Sequence, residues 1–287
     1  MRIQQFFLKI ISVFFLGTLL FANSPTKKVW TPIIVDEGLT IFVPYKDGSH
    51  KPQVTNVLFA HGFLGSEETW DHFTESTLTY TKRKWTIYKT SVSETGSIEE
   101  RANELADYIN AQDIADNSML VVGHSMGGLD LRYIISKGNQ DQSNTNKFYR
   151  AAKTIHKLYT LASPHKGSDI ATLVPQDDGA VHDLSTENME KFNEENPYSG
   201  FNIDGRNIPM LAFRFYCKTL ITDDDDGVVE IEKQILDYAP YTKEIFKGKH
   251  TTGNLILCTD DSVAEVLQTP ILHGILDNTE YKTEVSY

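Results

Sequence analysis

A serine hydroxyl becomes a useful nucleophile only beside a histidine that takes its proton and a carboxylate that fixes the histidine's tautomer. One serine of this chain stands in a setting suited to that chemistry. The stretch Val121-Val122-Gly123-His124-Ser125-Met126-Gly127-Gly128-Leu129 opens on an apolar run and closes on glycines. Within it, Gly123 to Gly127 reads G-x-S-x-G, the sharp strand-to-helix turn that lifts a serine above a parallel sheet. Such a turn strains the serine backbone, so the residues two before and two after must be small. A plain Gly-rich turn would read the same way, and the partners decide. Their chain order in this architecture is Ser, then acid, then His. Asp226 follows a strand-like run and opens an Asp-Gly turn before Val228-Val229, so it is read as the acid. Asp223, Asp224 and Asp225 are read as a solvated loop or a casual cation site. Two late histidines compete for the base, His250 and His273. A base that must lie over Ser125 belongs on a loop before the closing helix, which favours His250. His124 is expected to point away from the site, and His50, His72, His156 and His182 have no constellation around them.

Acyl transfer also needs two backbone N–H groups aimed at the developing oxyanion. The amide of Met126, directly after the nucleophile, is one. The other should come from the loop after the first buried strand. There the chain reads His61-Gly62-Phe63-Leu64-Gly65, and Phe63 is the expected donor, with Gly62 and Gly65 allowing close backbone approach.

The elements that must hold these residues alternate. Val54–Ala60, Trp85–Val92, Met119–Val122, Ile155–Ala162 and Pro209–Cys217 read as strands. Pro32–Val35 and Leu39–Val43 read as an N-terminal hairpin. Helices are expected after Ser66, after the Ser97–Glu100 capping box, after Ser125 as far as Gly138, over Glu230–Tyr238, and over Asp261–Leu267. Asp141 to Lys147 reads as a polar loop, and Leu255–Cys258 as a short strand or packed loop. Strands alternating with helices give right-handed crossovers and a mostly parallel sheet. From about Ser168 to Asn207 the rhythm breaks at Pro175, Gly179, Pro197, Gly200 and Gly205, with a helix over Ser185–Asn193. This insertion is expected to cover the domain as a cap.

Length and composition fit an ordinary globular enzyme: 287 residues, 40% hydrophobic and 23% charged. A formal net charge of −12 argues against nucleic acid or an anionic membrane surface as an electrostatic partner. Arg2, Lys9 and the apolar run Ile10–Ala22 form a signal peptide, too short for a comfortable span, with cleavage expected after Ala22. The protein is therefore expected to be exported, either secreted or periplasmic. Residues 23–287 are expected to form one domain. In an exported chain the two cysteines, Cys217 and Cys258, permit one disulfide or remain as buried thiols.

The pieces resemble a family. His61-Gly62-Phe63-Leu64-Gly65, Gly123-His124-Ser125-Met126-Gly127-Gly128, Thr160 to Ser168 and Asp226-Gly227-Val228-Val229 look like the motifs of α/β-hydrolase lipases, especially secreted bacterial triacylglycerol lipases. The resemblance runs from about residue 55 to 270. It implies an α/β-hydrolase fold with a cap, no organic cofactor, cleavage of carboxylic esters such as acylglycerols, and transient contact with lipid interfaces through the cap. It also implies that a Cys217–Cys258 disulfide would hold the acid and base loops together. That family's calcium site uses an Asp two residues after the catalytic His. Thr252 stands there instead, which argues against bound calcium. The same machinery serves phospholipases, deacylases, thioesterases and amidases, and the fold also occurs in binding proteins that have lost a triad member.

Overall fold

The computed structural model describes residues 54–71, 85–173, 179–198, 200–217, 225–248, 250, 271–272 and 275–276, and the backbone of 33–35 and 283–284. All lie in the unit Pro32–Tyr287. The predicted signal peptide, Leu39–Val43, Leu255–Cys258 and Asp261–Leu267 fall outside them, as do His273, Thr252 and Cys258.

Six parallel strands form the centre of the sheet: β2 (Asn56–Ala60), β3 (Trp85–Thr90), β4 (Met119–His124), β5 (Ile155–Leu161), β8 (Met210–Tyr216) and β9 (Tyr241–Lys247). Two short strands close it. Antiparallel β1 (Ile33–Val35) pairs with β3, and antiparallel β10 (Thr283–Glu284) pairs with β9. The order is β1-β3-β2-β4-β5-β8-β9-β10. β2 and β4 are apolar over most of their length because both faces are covered. Successive side chains go to opposite sides. Leu58, Ala60, Met119 and Val121 join the core beneath the helices on one face, while Val57, Phe59, Leu120 and Val122 join the core on the other.

The helices of the first face are α1 (Ile98–Asn110), α2 (Met126–Gln140) and α3 (Lys147–Thr154). Both halves of the Ser97/Glu100 capping box form. Two sequence expectations change here. Gly138 does not stop α2, because it is a contact glycine: a methyl there would lie 2.9 Å from the Phe148 carbonyl oxygen and 3.0 Å from Ala152 Cβ. The polar loop is shorter than expected, and α3 follows it with Asn146 as N-cap. Ser66 caps the expected helical turn, which begins as a 3-10 helix over Glu67–Trp70 with Ser66 accepting the Glu68 amide; Phe73 and Leu78 lie outside the described residues.

The insertion between β5 and β8 splits in two. Its first part carries α4 (Asp169–Leu173), α5 (Ala180–Asp183) and α6 (Thr186–Glu195). Its second part is a hairpin, β6 (Phe201–Ile203) with β7 (Arg206–Ile208). Phe201, Ile203 and Ile208 are buried in the core of the helical face. Arg206 donates to the carbonyls of Ile155 (2.8 Å) and Lys153 (3.2 Å), at the start of β5. That is the edge opposite Ser125, so 201–208 cannot cover the serine, and the expected cap is confined to the part before the hairpin. The Glu230–Tyr238 helix contracts to one 3-10 turn, Ile231–Gln234. No described helix is long and apolar enough to cross a membrane.

Candidate active site

Ser125 ends the turn out of β4 with φ 52° and ψ −129°, a conformation an L-residue holds only under constraint. The glycines around it supply that constraint. A methyl on Gly127 would lie 2.5 Å from the Ala60 carbonyl oxygen and 2.6 Å from that of His61. One on Gly123 would strike the backbone of Gly128, and one on Gly128 would strike Ser163 Oγ. Elbow, oxyanion loop and the turn after β5 therefore meet at contact distance.

Ser125 Oγ lies 2.7 Å from His250 Nε2, and His250 Nδ1 lies 2.8 Å from Asp226 Oδ2. All three are buried. The His250 amide also donates to the Asp226 carbonyl at 2.8 Å, so backbone and ring are both referenced to the acid. The other carboxylate oxygen, Asp226 Oδ1, accepts the amides of Val228 (3.1 Å) and Val229 (2.8 Å). An Asp-Gly turn thus wraps its own carboxylate, with Gly227 at φ 94° making the fold-back. Asp225 is not merely solvated. It bridges to Cys217 and to Glu230, and its side chain accepts the Gly227 amide at 2.8 Å. Cys217 is buried just after β8 and donates its amide to the Asp225 carbonyl.

The His61–Gly65 loop passes directly beside the serine. A methyl on Gly62 would lie 2.7 Å from Ser125 Cβ and 3.1 Å from its Oγ. Gly62→Ala is therefore expected to push loop and serine apart and lower kcat by about 10²-fold, the cost of misplacing reacting groups by about 1 Å. Burst titration with a p-nitrophenyl ester checks this, and an unchanged burst rate would sink it. The amides of Phe63 and Met126 make no backbone hydrogen bond among the described residues. Those of Leu64 and Gly65 are engaged, with Glu94 and Gly62.

What fixes the loop is a buried ion pair, Arg101 with Asp130, that no local pattern in the chain announces. Arg101 Nη2 donates to the His61 carbonyl at 2.7 Å, Nη1 donates to the Ser93 carbonyl, and Nε donates to Asp130 at 2.9 Å. Burial pushes Asp130 up to about 6 against the opposing pull of Arg101. His61 Nδ1 sits 2.8 Å from the Gly62 carbonyl, and Nε2 accepts the Val92 amide at 3.1 Å. Nδ1 is thus the protonated nitrogen. Desolvation, with Arg101 nearby, lowers His61 to about 4.

His124 departs from expectation. Its ring does not point away. It lies 5.0 Å from the His250 ring, with Trp70 edge-on at 6.5 Å. Burial, then the neighbouring His250, lowers it to about 3, so it braces His250 as a neutral ring. Of the remaining histidines, His156 pairs with Asn117 and His182 with Asp183, away from the site.

The first part of the insertion packs beside the elbow. Ala171, Ala180, Leu184 and Met189 bury against Ile98, Met126 and Leu129, with Phe63 and Phe192 packed alongside. Polar contacts pin it. Asp183 accepts the Ile98 amide at 2.7 Å, Ser168 donates to the Val228 carbonyl at 2.7 Å, and Lys233 pairs with Asp169. Arg132 donates to Asn193 Oδ1 (2.6 Å) and the Asn196 carbonyl (2.8 Å), while Asn193 donates to the His165 carbonyl at 2.9 Å. Among the described residues no group of three or more His, Cys, Asp or Glu could hold a metal ion.

Comparison with solved structures identifies the architecture. A Bacillus licheniformis lipase, BlEst2, superposes in its propeptide form with TM-score 0.60 and 16% identity, covering 90% of this chain and 56% of that one. Its mature form gives TM-score 0.58 and 16% identity, covering 86% and 98%. This is the α/β-hydrolase fold. Residues 51–179 of this chain match the family model described as "Putative serine esterase (DUF676)". That match spans the oxyanion loop, the elbow and the first part of the cap. A curated relative, triacylglycerol lipase 2 of Saccharomyces cerevisiae, is 36% identical over 96 residues. The match takes in 31% of this chain and 26% of the yeast protein, so this chain spans about a quarter of that relative.

Proposed function

We propose that this α/β-hydrolase cleaves carboxylic esters, with lipid acyl esters as substrates, through a Ser125-His250-Asp226 triad. The observation that carries the reading is the hydrogen-bonded line from Ser125 Oγ through His250 to Asp226, at 2.7 and 2.8 Å, on a strained elbow. His250 takes the Ser125 proton as Oγ attacks the ester carbonyl. The Phe63 and Met126 amides receive the oxyanion. His250 then delivers that proton to the leaving alcohol, and an acyl-Ser125 ester remains. Water repeats the sequence, the carboxylate leaves, and Oγ regains its proton. Leu184, Met189 and Phe192 pack with Met126 and Leu129 in one apolar cluster beside the elbow. The descriptions of the matched family and of the yeast relative support the same class.

Export belongs to the same proposal, resting on Arg2, Lys9 and the apolar run to Ala22. So does a Cys217–Cys258 disulfide, which would tie the acid turn to the segment after His250. The test is a p-nitrophenyl ester series of rising chain length, on wild type and Ser125→Ala. We expect loss of hydrolysis in the variant and a wild-type kcat/KM that rises from acetate to octanoate. Activity surviving Ser125→Ala would remove the serine from the chemistry, and a preference for acetate would restrict the substrates to short soluble esters.

A further inference from the structure

Asp226 has a fourth donor. Gln234, fully buried in the 3-10 turn after the acid loop, places Nε2 at 3.2 Å from Asp226 Oδ2, the same oxygen that His250 uses. Its other contacts hold that amide in place. Gln234 Oε1 accepts the Phe215 amide at 2.7 Å, and the two N–H groups of Nε2 are shared among three acceptors, the Phe215 and Val229 carbonyls at 3.0 Å each and Asp226 Oδ2 at 3.2 Å. The side chain therefore pairs with one β8 residue as a neighbouring strand would. The amide orientation is settled by this pairing, because a backbone N–H can only donate and must face Oε1.

Two anchors thus meet at the carboxylate. The Val228 and Val229 amides tie Oδ1 to its own turn. A turn alone can rock on the end of the sheet. Gln234 instead ties Oδ2 to Phe215, inside β8. Since His250 Nδ1 donates to that oxygen, the position of Oδ2 decides where Nε2 stands relative to Ser125 Oγ.

We propose that Gln234 is a positioning residue for the reaction, holding Asp226 in register with the sheet so that His250 meets Ser125. The inference rests on the triad reading above and extends it. Gln234→Met keeps length and removes every hydrogen bond. Gln234→Glu keeps the acceptor for the Phe215 amide and sets an oxygen against Asp226 Oδ2 and two carbonyls.

The experiment reads kcat and KM on a p-nitrophenyl ester, labelling of Ser125 by a fluorophosphonate, and Tm, for both variants alone and on an Asp226→Asn background. Acting through Asp226, Gln234→Met should lower kcat and the labelling rate by about 10²-fold with KM within about twofold, and Gln234→Glu by at least as much. On the Asp226→Asn background the further loss should vanish, since residues acting as one unit are not additive. A loss of the same factor on both backgrounds would overturn the proposal. So would a lowered Tm with kcat and labelling rate unchanged at a temperature where both proteins are folded. Because labelling needs no ester, a wild type that labels quickly yet cleaves no ester contradicts the substrate reading and leaves the Gln234 measurement valid.

Discussion

His250→Ala is expected to lower kcat on a p-nitrophenyl ester by about 10⁶-fold, and Asp226→Asn by about 10⁴-fold, the losses seen when a triad base is removed or its tautomer is left unfixed. The two differ for a geometric reason. Without His250 nothing within hydrogen-bond distance of Ser125 Oγ can accept its proton, since the Oγ–Nε2 contact at 2.7 Å is the one hydrogen bond that hydroxyl makes among the described residues. With Asn at 226 the imidazole remains, but an amide can present N–H to Nδ1, which turns the ring to the tautomer that cannot accept from serine. Both variants should keep the KM of wild type. His273→Ala should keep full activity. If instead His273→Ala is the inactive variant and His250→Ala turns over, the assignment of the base is wrong.

Unfolding at acid pH should be unusually steep. His61 is held at about 4 and His124 at about 3, and His165 is held well below 6.5, each chiefly by burial. Their folded-state values lie below the 6.5 of an unfolded histidine, so below that pH the unfolded chain takes up protons that the folded one refuses. The stability they contribute is complete above pH 6.5 and drains away as pH falls toward 4. Each group adds a slope of roughly 1.4 kcal/mol per pH unit. Asp130, raised to about 6, and Glu230, also raised, work the other way, because their folded forms bind protons more readily than unfolded carboxyls. Three strongly shifted histidines outweigh them, for a net loss on the order of several kcal/mol between pH 6.5 and 4. Urea midpoints at pH 7.5, 5.5 and 4.5 read this directly. A midpoint constant across that range would show that the three rings are accessible to protons in the folded state.

How much of this the sequence disclosed depends on how local each constraint is. The elbow was legible because its demands lie within six residues: small groups two positions either side of Ser125, an apolar strand before, a helix after. Asp226 was legible because an Asp-Gly turn carries its own chemistry. β9 was not. Its alternation of Thr242, Lys243, Glu244 and Ile245 reads as polar surface, and only parallel pairing with β8 makes it a strand. Gly200 and Gly205 advertised a loop, and nothing nearby revealed that Phe201 and Ile208 are core. Gln234 and Arg101 were silent for a stronger reason. An amide that pairs with Phe215 and a guanidinium that holds the His61 carbonyl are made by residues 19 and 40 positions away, and no local pattern encodes that. His124 misled, because the elbow fixes its backbone but leaves its ring to the tertiary packing of Trp70 and His250.

The strand order carries a last consequence, for the timing of activity during synthesis. β2, β3, β4 and β5 are consecutive in the chain and adjacent in the sheet, so the nucleophile and its oxyanion loop can assemble early from short-range pairings. The acid must wait for β8 to cross the insertion, and the base arrives 125 residues after the serine. Contacts that close such long loops form late. On the proposed mechanism, a nascent chain would thus display a correctly shaped elbow that is chemically inert, and hydrolysis would begin only when the far end of the polypeptide docks.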